Sequence, residues 1–403
     1  MAEIEATGSS EGTVGEVFRA FLRMGLTCFG GPIAHIGYFR DEFVLRRGWL
    51  DETAFGDLVA LCQFLPGPAS SQLGFAIGLR RGGGLAGGLA AWLGFTLPSA
   101  VALVALATLV PAVAASSLGA GIIHGLKLAA VAVVAQAVFG MARSLTPDAP
   151  RAAIALLAVA FVAITGSVGG QIAGIAAGAL LGLWLCRTGT SPPGGHLVAP
   201  VDSRAAAVAL VFFAVLLALA LIPVGDNPAL AFIAAIYRSG ALVFGGGHVV
   251  LPLLKAGVVP QWVTNADFLT GYGLAQAVPG PLFTFAAWLG FMARPFGGVL
   301  IAAVALVAIF LPGLLLVYGV LPFWNRLRGL IAAEAALRGA NAAVVGILAS
   351  ALYDPVWTGA VADVRDFALA LAGVLALIVW RLPPWLVVLL LAVAGAARTM
   401  LGL

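Results

Sequence analysis

Apolar residues run continuously along this chain rather than alternating with polar ones. Seven stretches (84–110, 118–141, 154–166, 172–186, 205–222, 298–320 and 368–380) are nearly free of charge. About 20 such residues cross the roughly 30 Å hydrocarbon core of a bilayer as a helix. The period-two pattern of an outer-membrane barrel strand is missing. Shorter apolar pieces at 57–65 and 70–79 flank Pro66-Gly67-Pro68. At roughly ten to twelve residues, or about 15–18 Å of helix, neither piece spans alone. The pattern predicts an all-α polytopic membrane protein in which some helices are broken or re-entrant.

The polar and glycine landmarks between the runs occur twice in the same order. Phe29-Gly30-Gly31-Pro32 answers to Phe244-Gly245-Gly246-Gly247, Trp49 to Trp262, and Gln63 to Gln276. Pro66-Gly67-Pro68 answers to Pro279-Gly280-Pro281, Gly87-Gly88 to Gly297-Gly298, and Leu97-Pro98 to Leu311-Pro312. Leu126-Lys127 then matches Leu337-Arg338. The chain therefore reads as an internal duplication. It divides into a lead (1–12), a first repeat (13–186), a linker (187–203), an extra span (204–223) and a second repeat (224–403). Counting each Pro-Gly-Pro segment as one crossing gives six spans per repeat. With the extra span, seven crossings then separate equivalent points, so the repeats are expected to be inverted, a common transporter arrangement. On that count the loops facing the N-terminal side are richer in arginine, which predicts a cytoplasmic N-terminus.

Composition narrows the class. Of 403 residues, 62% are hydrophobic and 9% charged, whereas soluble domains carry about 25% charged residues. The net charge of +4 is small and scattered, so no nucleic-acid partner is expected. Cys28, Cys62 and Cys186 form no Cys-x-x-Cys motif and read as packed thiols, so neither metal nor cofactor is expected. Glu3, Glu5, Glu11 and Glu16 precede the first arginine, unlike the start of a cleavable signal. No P-loop, His-Glu-x-x-His helix or pair of aspartates within a span suggests ATP-driven pumping or an intramembrane enzyme.

The candidate site residues gather where the helices break. A helix that starts inside a membrane exposes free N–H groups and the positive end of its dipole, which suits an anion. Gln63, Gly67, Ser70 and Ser71 stand at one break, and Gln276, Gly280 and Thr284 at the other. The competing reading is a proline kink used for packing. Gly30 and Gly31, with Gly245 and Gly246, allow close backbone approach, though small residues in membranes also serve helix contacts. His248 follows the second glycine run; it and His35 read equally well as hydrogen-bonded interface residues. Lys127 and Arg338 place a cation at duplicated points in apolar helices, where a charge costs about 2.5–3.5 kcal/mol. The two together are expected to neutralise one dianion, unless Arg338 merely pairs with Glu334 one turn away.

These residues carry a resemblance. Phe29-Gly30-Gly31-Pro32 with Ala34-His35, Tyr38, Trp49-Leu50 after two arginines, and Pro66-Gly67-Pro68 resemble the chromate ion transporter family. So do Gly125-Leu126-Lys127, Phe244-Gly245-Gly246-Gly247-His248 and Pro279-Gly280-Pro281. The likeness covers nearly the whole chain, in the two-domain form, with Gly247 standing where the first half has Pro32. It implies chromate efflux across the cytoplasmic (inner) membrane, chromate resistance, and sulfate as the natural mimic. A passive anion channel or general oxyanion transporter is the alternative, and a homodimer is left open.

Overall fold

The computed structural model describes residues 12–187, 200–225, 227–244 and 247–402. Most of the predicted lead, residues 188–199 of the linker, and Gly245 and Gly246 lie outside the described residues. The first half runs α1 (Val14–Thr27), α2 (Gly31–Arg40, prolonged by a π-helical turn Asp41–Arg46), α3 (Glu52–Phe64), α4 (Ala69–Arg81), α5 (Leu85–Ala114), α6 (Ser117–Leu145), α7 (Ala149–Thr165) and α8 (Val168–Leu185). After α9 (Ser203–Leu221) the series returns: α10 (Pro228–Ala241), α11 (Val250–Val258, entered by a 3-10 turn Gly247–Val249), α12 (Asn265–Ala277) and α13 (Phe285–Met292, entered by a 3-10 turn Leu282–Thr284). It closes with α14 (Val299–Val320), a short α15 (Trp324–Leu327), α16 (Ile331–Ala351), α17 (Val364–Ile378) and α18 (Pro384–Met400). Among the described residues six helical stretches are long and apolar enough to cross a bilayer. Helices α7 and α18, at 17 residues each, fall just short of that length.

Helix starts follow from local chemistry, and the halves use the same positions. Asp51 caps α3 and Thr264 caps α12, each accepting a first-turn N–H; Asp148 and Asp363 do the same for α7 and α17. Such caps occupy donors that a helix leaves unpaired at its N-terminus.

The broken segments do not cross; each enters and returns. At the end of α4, the Arg81 guanidinium lies 5.1 Å over the Trp49 ring and 3.2 Å from Glu16 at the start of α1. The Gly12 N–H also donates to the Arg81 carbonyl at 2.8 Å. Thus α1–α2 and α3–α4 are two hairpins with all their open ends on one face, here the N-terminal face. In the second half the Arg294 N–H donates to the Trp262 carbonyl at 2.9 Å, and Phe232 touches both Trp262 and Phe296. Of the two readings of each Pro-Gly-Pro segment, a broken crossing or a re-entrant hairpin, the structure has the re-entrant one, and the count of one crossing per segment does not apply. The cause of the reversal is backbone geometry: Gly67 and Gly280 stand at φ +128° and +100°, and Gly30 and Gly31 at +99° and +78°, a region glycine enters at little cost.

Packing crosses between the halves reciprocally. Helix α6 lies against α18, and α16 against α8, through glycines one turn apart. A Cβ on Gly125 would meet the Leu391 carbonyl oxygen at 2.1 Å, and one on Gly339 would meet that of Gly178 at 2.0 Å. Without a hydrophobic drive between helices in lipid, such close backbone approach is what joins them.

Candidate functional site

The four hairpin tips meet in the middle of the molecule, each bonded to a tip of the other half. The Gly67 N–H donates to the Val243 carbonyl and the Gly280 N–H to the Cys28 carbonyl, both at 2.8 Å. Val243 and Cys28 each precede the phenylalanine of a Phe-Gly-Gly motif, so the two bonds are equivalent. Each Pro-Gly-Pro turn also rests on the proline-containing stretch of the other half's long helix. A Cβ on Gly67 would lie 3.1 Å from Gly313 Cα, next to Pro312, and one on Gly280 would lie 2.7 Å from Ser99 Oγ, next to Pro98. Gln72 locks the first turn by donating to the Pro66 and Gly313 carbonyls at 2.9 and 3.1 Å.

Several predicted residues converge here. Gly31 faces His248, whose Nε2 lies 3.9 Å from where a Gly31 Cβ would stand, while Nδ1 is 2.8 Å from the Tyr272 hydroxyl. Ser70 is buried, 3.3 Å from His35 Nδ1. Ser71 is buried, and neither its hydroxyl nor Gln276 Nε2 has a hydrogen-bond partner among the described residues. Thr284 is buried and turns its hydroxyl back to the Pro281 carbonyl at 2.8 Å. Helices α2 and α4, which start at the tips, have no side-chain cap, so no side chain takes up the donors that a helix start leaves unpaired.

Lys127 and Arg338 are not brought together. Arg338 donates to Glu334 at 3.1 Å and to the Cys186 carbonyl at 3.2 Å, beyond the last residue of α8. That end of the molecule also holds the turn after α6. Lys127 lies 18 residues before Leu145 on α6, about 27 Å away along the axis. It has no hydrogen-bonded or ion-paired partner among the described residues, and the carboxylate acting on it is Asp267 at the start of α12. Arg338 thus ties α16 to the end of α8, and the two cations share no partner among the described residues.

The two faces are packed unequally. On the face opposite the N-terminus, α12 lies against α6 and α18, and α11 against α16 and α8. A Cβ on Gly273 would meet the Leu126 carbonyl oxygen at 2.5 Å. Of the equivalent arms on the N-terminal face, α3 reaches the second half through the 2.9 Å ion pair of Asp57 with Arg328 and through Phe64 against Trp324 rather than along its length. Gly56, Ala60 and Gln63 on α3 are exposed, whereas Leu269 and Gly273, the equivalents of the first two, are buried, and Gln276 is partly so. The tips are thus approached from the N-terminal face, with Gly30 and Gln63 exposed along the way.

Sequence reading passed over Tyr272 and the pair Arg23 and Arg238. The arginines carried a legible signal, since each stands six residues before a Phe-Gly-Gly and two before a glycine.

Broken helices with uncapped starts, joined tip to tip inside a polytopic helical bundle, define a membrane transport protein rather than an enzyme. The chain belongs to the chromate transporter family, whose sequence model matches residues 15–183 and again 230–396. It is 29% identical over 360 residues to a chromate transport protein of Pseudomonas aeruginosa, covering 84% of this chain and 80% of that one. A probable chromate transport protein of Synechococcus elongatus is 28% identical over 386 residues, covering 93% of both chains. An uncharacterised transporter of Bacillus subtilis aligns with only 26% of this chain, at 34% identity over 104 residues, and 52% of its own length. No solved structure matches the chain.

Proposed function

We propose that this protein carries chromate, or the similarly shaped dianion sulfate, out across the cytoplasmic membrane as a secondary transporter and so confers chromate resistance. The relatives' names supply the substrate. The observation that carries the site is the reciprocal pair of tip bonds, Gly67 to Val243 and Gly280 to Cys28. These draw the uncapped starts of α2 and α4, the His248 imidazole and the unpartnered Ser71 and Gln276 groups to one place. Such donors suit a tetrahedral oxyanion, each hydrogen bond to a charged group contributing about 1.5–3 kcal/mol. In this reading Gly30, Gly31, Gly67, Gly280, Ser70 and Thr284 shape the cradle, Gln63 lies at its mouth, and Lys127 adds fixed positive charge from the α12 side.

Orientation follows from the returning hairpins. Five helices, α5 to α9, connect the first pair of hairpins to the second, and an odd number of crossings inverts the repeats. Arg40, Arg46 and Arg47 then share the N-terminal face with Arg80, Arg81, Arg143, Arg151, Arg187, Arg204, Arg326, Arg328 and Arg381. The turns and helix ends of the other face hold Lys255, Arg294, Arg365 and Arg398. Positive residues favour the cytoplasm, so the open face is the inner one. Export of a dianion from a negative interior releases about 4.6 kcal/mol per 100 mV, twice the roughly 2.3 kcal/mol of one charge, and requires no co-ion.

Competition tests this. Excess sulfate is expected to inhibit chromate uptake into inside-out vesicles competitively, and either anion to slow aqueous thiol labelling of Ser70→Cys and Thr284→Cys. Indifference to sulfate with strong inhibition by chloride or nitrate would exclude the dianion site.

A further inference from the structure

Helix α1 carries a polar stripe that the site described above does not use. Glu16, Arg19, Arg23 and Thr27 follow one another at spacings of three and four residues, which places them on one helical face. Gly30 continues the line at the tip. Arg19, Arg23, Thr27 and Gly30 are all exposed, while Val17, Ala20, Phe21, Met24 and Gly25 form the buried side of the same helix. The helix is fixed at both ends. Its start is held on the N-terminal face by the bond from Gly12 to Arg81, and its far end by the Cys28 carbonyl bonded to Gly280. The stripe therefore descends from the inner face to the Gly30–Gly31 turn over 14 residues, about 21 Å.

The second half shows what this stripe would be if it faced protein. The residues equivalent to Arg19 and Thr27 are Ala234 and Leu242. Only the arginine recurs, as Arg238, and it is half-buried with Nη1 donating to the Ala220 carbonyl at the end of α9 at 3.1 Å. Helix α9 has no counterpart over α1. Arg23 is exposed nine residues beyond Val14, about 13 Å along the helix toward the tip, and its guanidinium has no partner among the described residues. An arginine facing hydrocarbon at that depth is disfavoured, and intramembrane cations face water or protein. Helix α2 packs on α1 and α5 through Phe39, and α3 is held to the second half by Asp57 with Arg328 and by Phe64 against Trp324; the Arg19–Arg23–Thr27 face of α1 stays exposed beside them.

Resting on the transport reading above, we infer that the Arg19–Arg23–Thr27 face of α1 lines the water-filled path by which oxyanions reach the tips. Arg23 is the residue that captures a tetrahedral dianion before it enters the cradle. A guanidinium offers paired N–H donors to two oxygens of such an anion, and two arginines one turn apart concentrate anions along the groove. The path is one-sided, because the second half replaces two of its three polar positions with apolar ones.

Full-length protein in proteoliposomes tests the path by two readouts. Cys28, Cys62 and Cys186 are first replaced by serine, and Arg23→Cys or Thr27→Cys is introduced. The anionic reagent 2-sulfonatoethyl methanethiosulfonate is expected to modify both from the N-terminal face only, and 10 mM sulfate to slow the reaction severalfold. In flux measurements Arg23→Gln is expected to raise the KM for chromate about tenfold with little change in maximal rate, and Arg23→Lys to recover part of the loss. Labelling confined to lipid-soluble maleimides, labelling indifferent to sulfate, or disulfide joining of two copies through Arg23→Cys would each overturn the path. So would an unaltered KM in Arg23→Gln while the unsubstituted protein transports chromate. Absence of saturable oxyanion flux in the unsubstituted protein is a different failure, that of the transport reading itself.

Discussion

Arg338 and Lys127 illustrate how a residue's role depends on depth as much as on identity. Both are cations at duplicated positions, yet Arg338 spends its donors on Glu334 and on the Cys186 carbonyl. Arg338→Gln should lower stability by about 1–3 kcal/mol, since it removes a charged hydrogen bond to a partly buried carboxylate and the bond that joins α16 to α8. The double change Glu334→Gln with Arg338→Gln should restore much of that loss and leave the KM for chromate near normal. A KM raised tenfold in a well-folded double variant would return Arg338 to the substrate. Glycines make the same point. A Cβ on Gly280 would stand 2.7 Å from Ser99 Oγ, and the residue's φ of +100° disfavours any side chain. Gly280→Ala should therefore reduce flux, and adding Ser99→Gly should recover only part of it; full recovery would mean that the contact, not the backbone, was limiting.

At the scale of elements, the unequal packing of the two faces implies a second arrangement. Ala60 is the equivalent of Gly273, and Leu337 of Leu126. If the halves exchange states, Ala60 comes under the Leu337 carbonyl when the N-terminal face closes, while Gly273 leaves Leu126. The pair Ala60→Cys with Leu337→Cys, with the native cysteines replaced, should cross-link during turnover and block transport. Gly273→Cys with Leu126→Cys should cross-link without turnover. A protein that transports normally yet never joins the first pair would contradict exchange. Ala60→Leu should hinder closure, lowering maximal flux while sulfate still protects Ser70→Cys from labelling.

Seven apolar helices were legible in the sequence to within a few residues, because continuous hydrophobicity and length leave little choice; α16, interrupted by Glu334 and Arg338, and α18 were not among the stretches marked. The duplicated landmarks at the tips were legible too. The reversal at Pro66-Gly67-Pro68 was legible only as one of two readings, broken or re-entrant, since a 13-residue apolar helix looks alike whether its chain continues or returns; the contacts of Arg81 with Trp49 and Glu16 decide it. The separation of Lys127 from Arg338 was not legible, since it depends on how the halves are turned relative to each other. His248 was read as a hydrogen-bonded interface residue, and its bond to Tyr272 fits that reading. Its approach to Gly31 depends on contact between halves, which no spacing reveals.

For the molecule as a whole, each half completes the other. Helix α6 seats on α18 and α16 on α8, while every hairpin tip bonds across the divide, so one half lacks the partners its glycines require. The central claim is that this assembly is a saturable carrier that moves a dianion from its open, arginine-rich face to the other. The most direct measurement is chromate flux in proteoliposomes of known orientation, with membrane potential and pH gradients imposed separately. Flux is expected to saturate with chromate, to fall with added sulfate, and to be accelerated by a potential negative on the N-terminal side without any pH gradient. Flux that rises linearly with chromate and follows voltage ohmically would show a channel, and flux requiring an inward cation gradient would contradict potential-driven export.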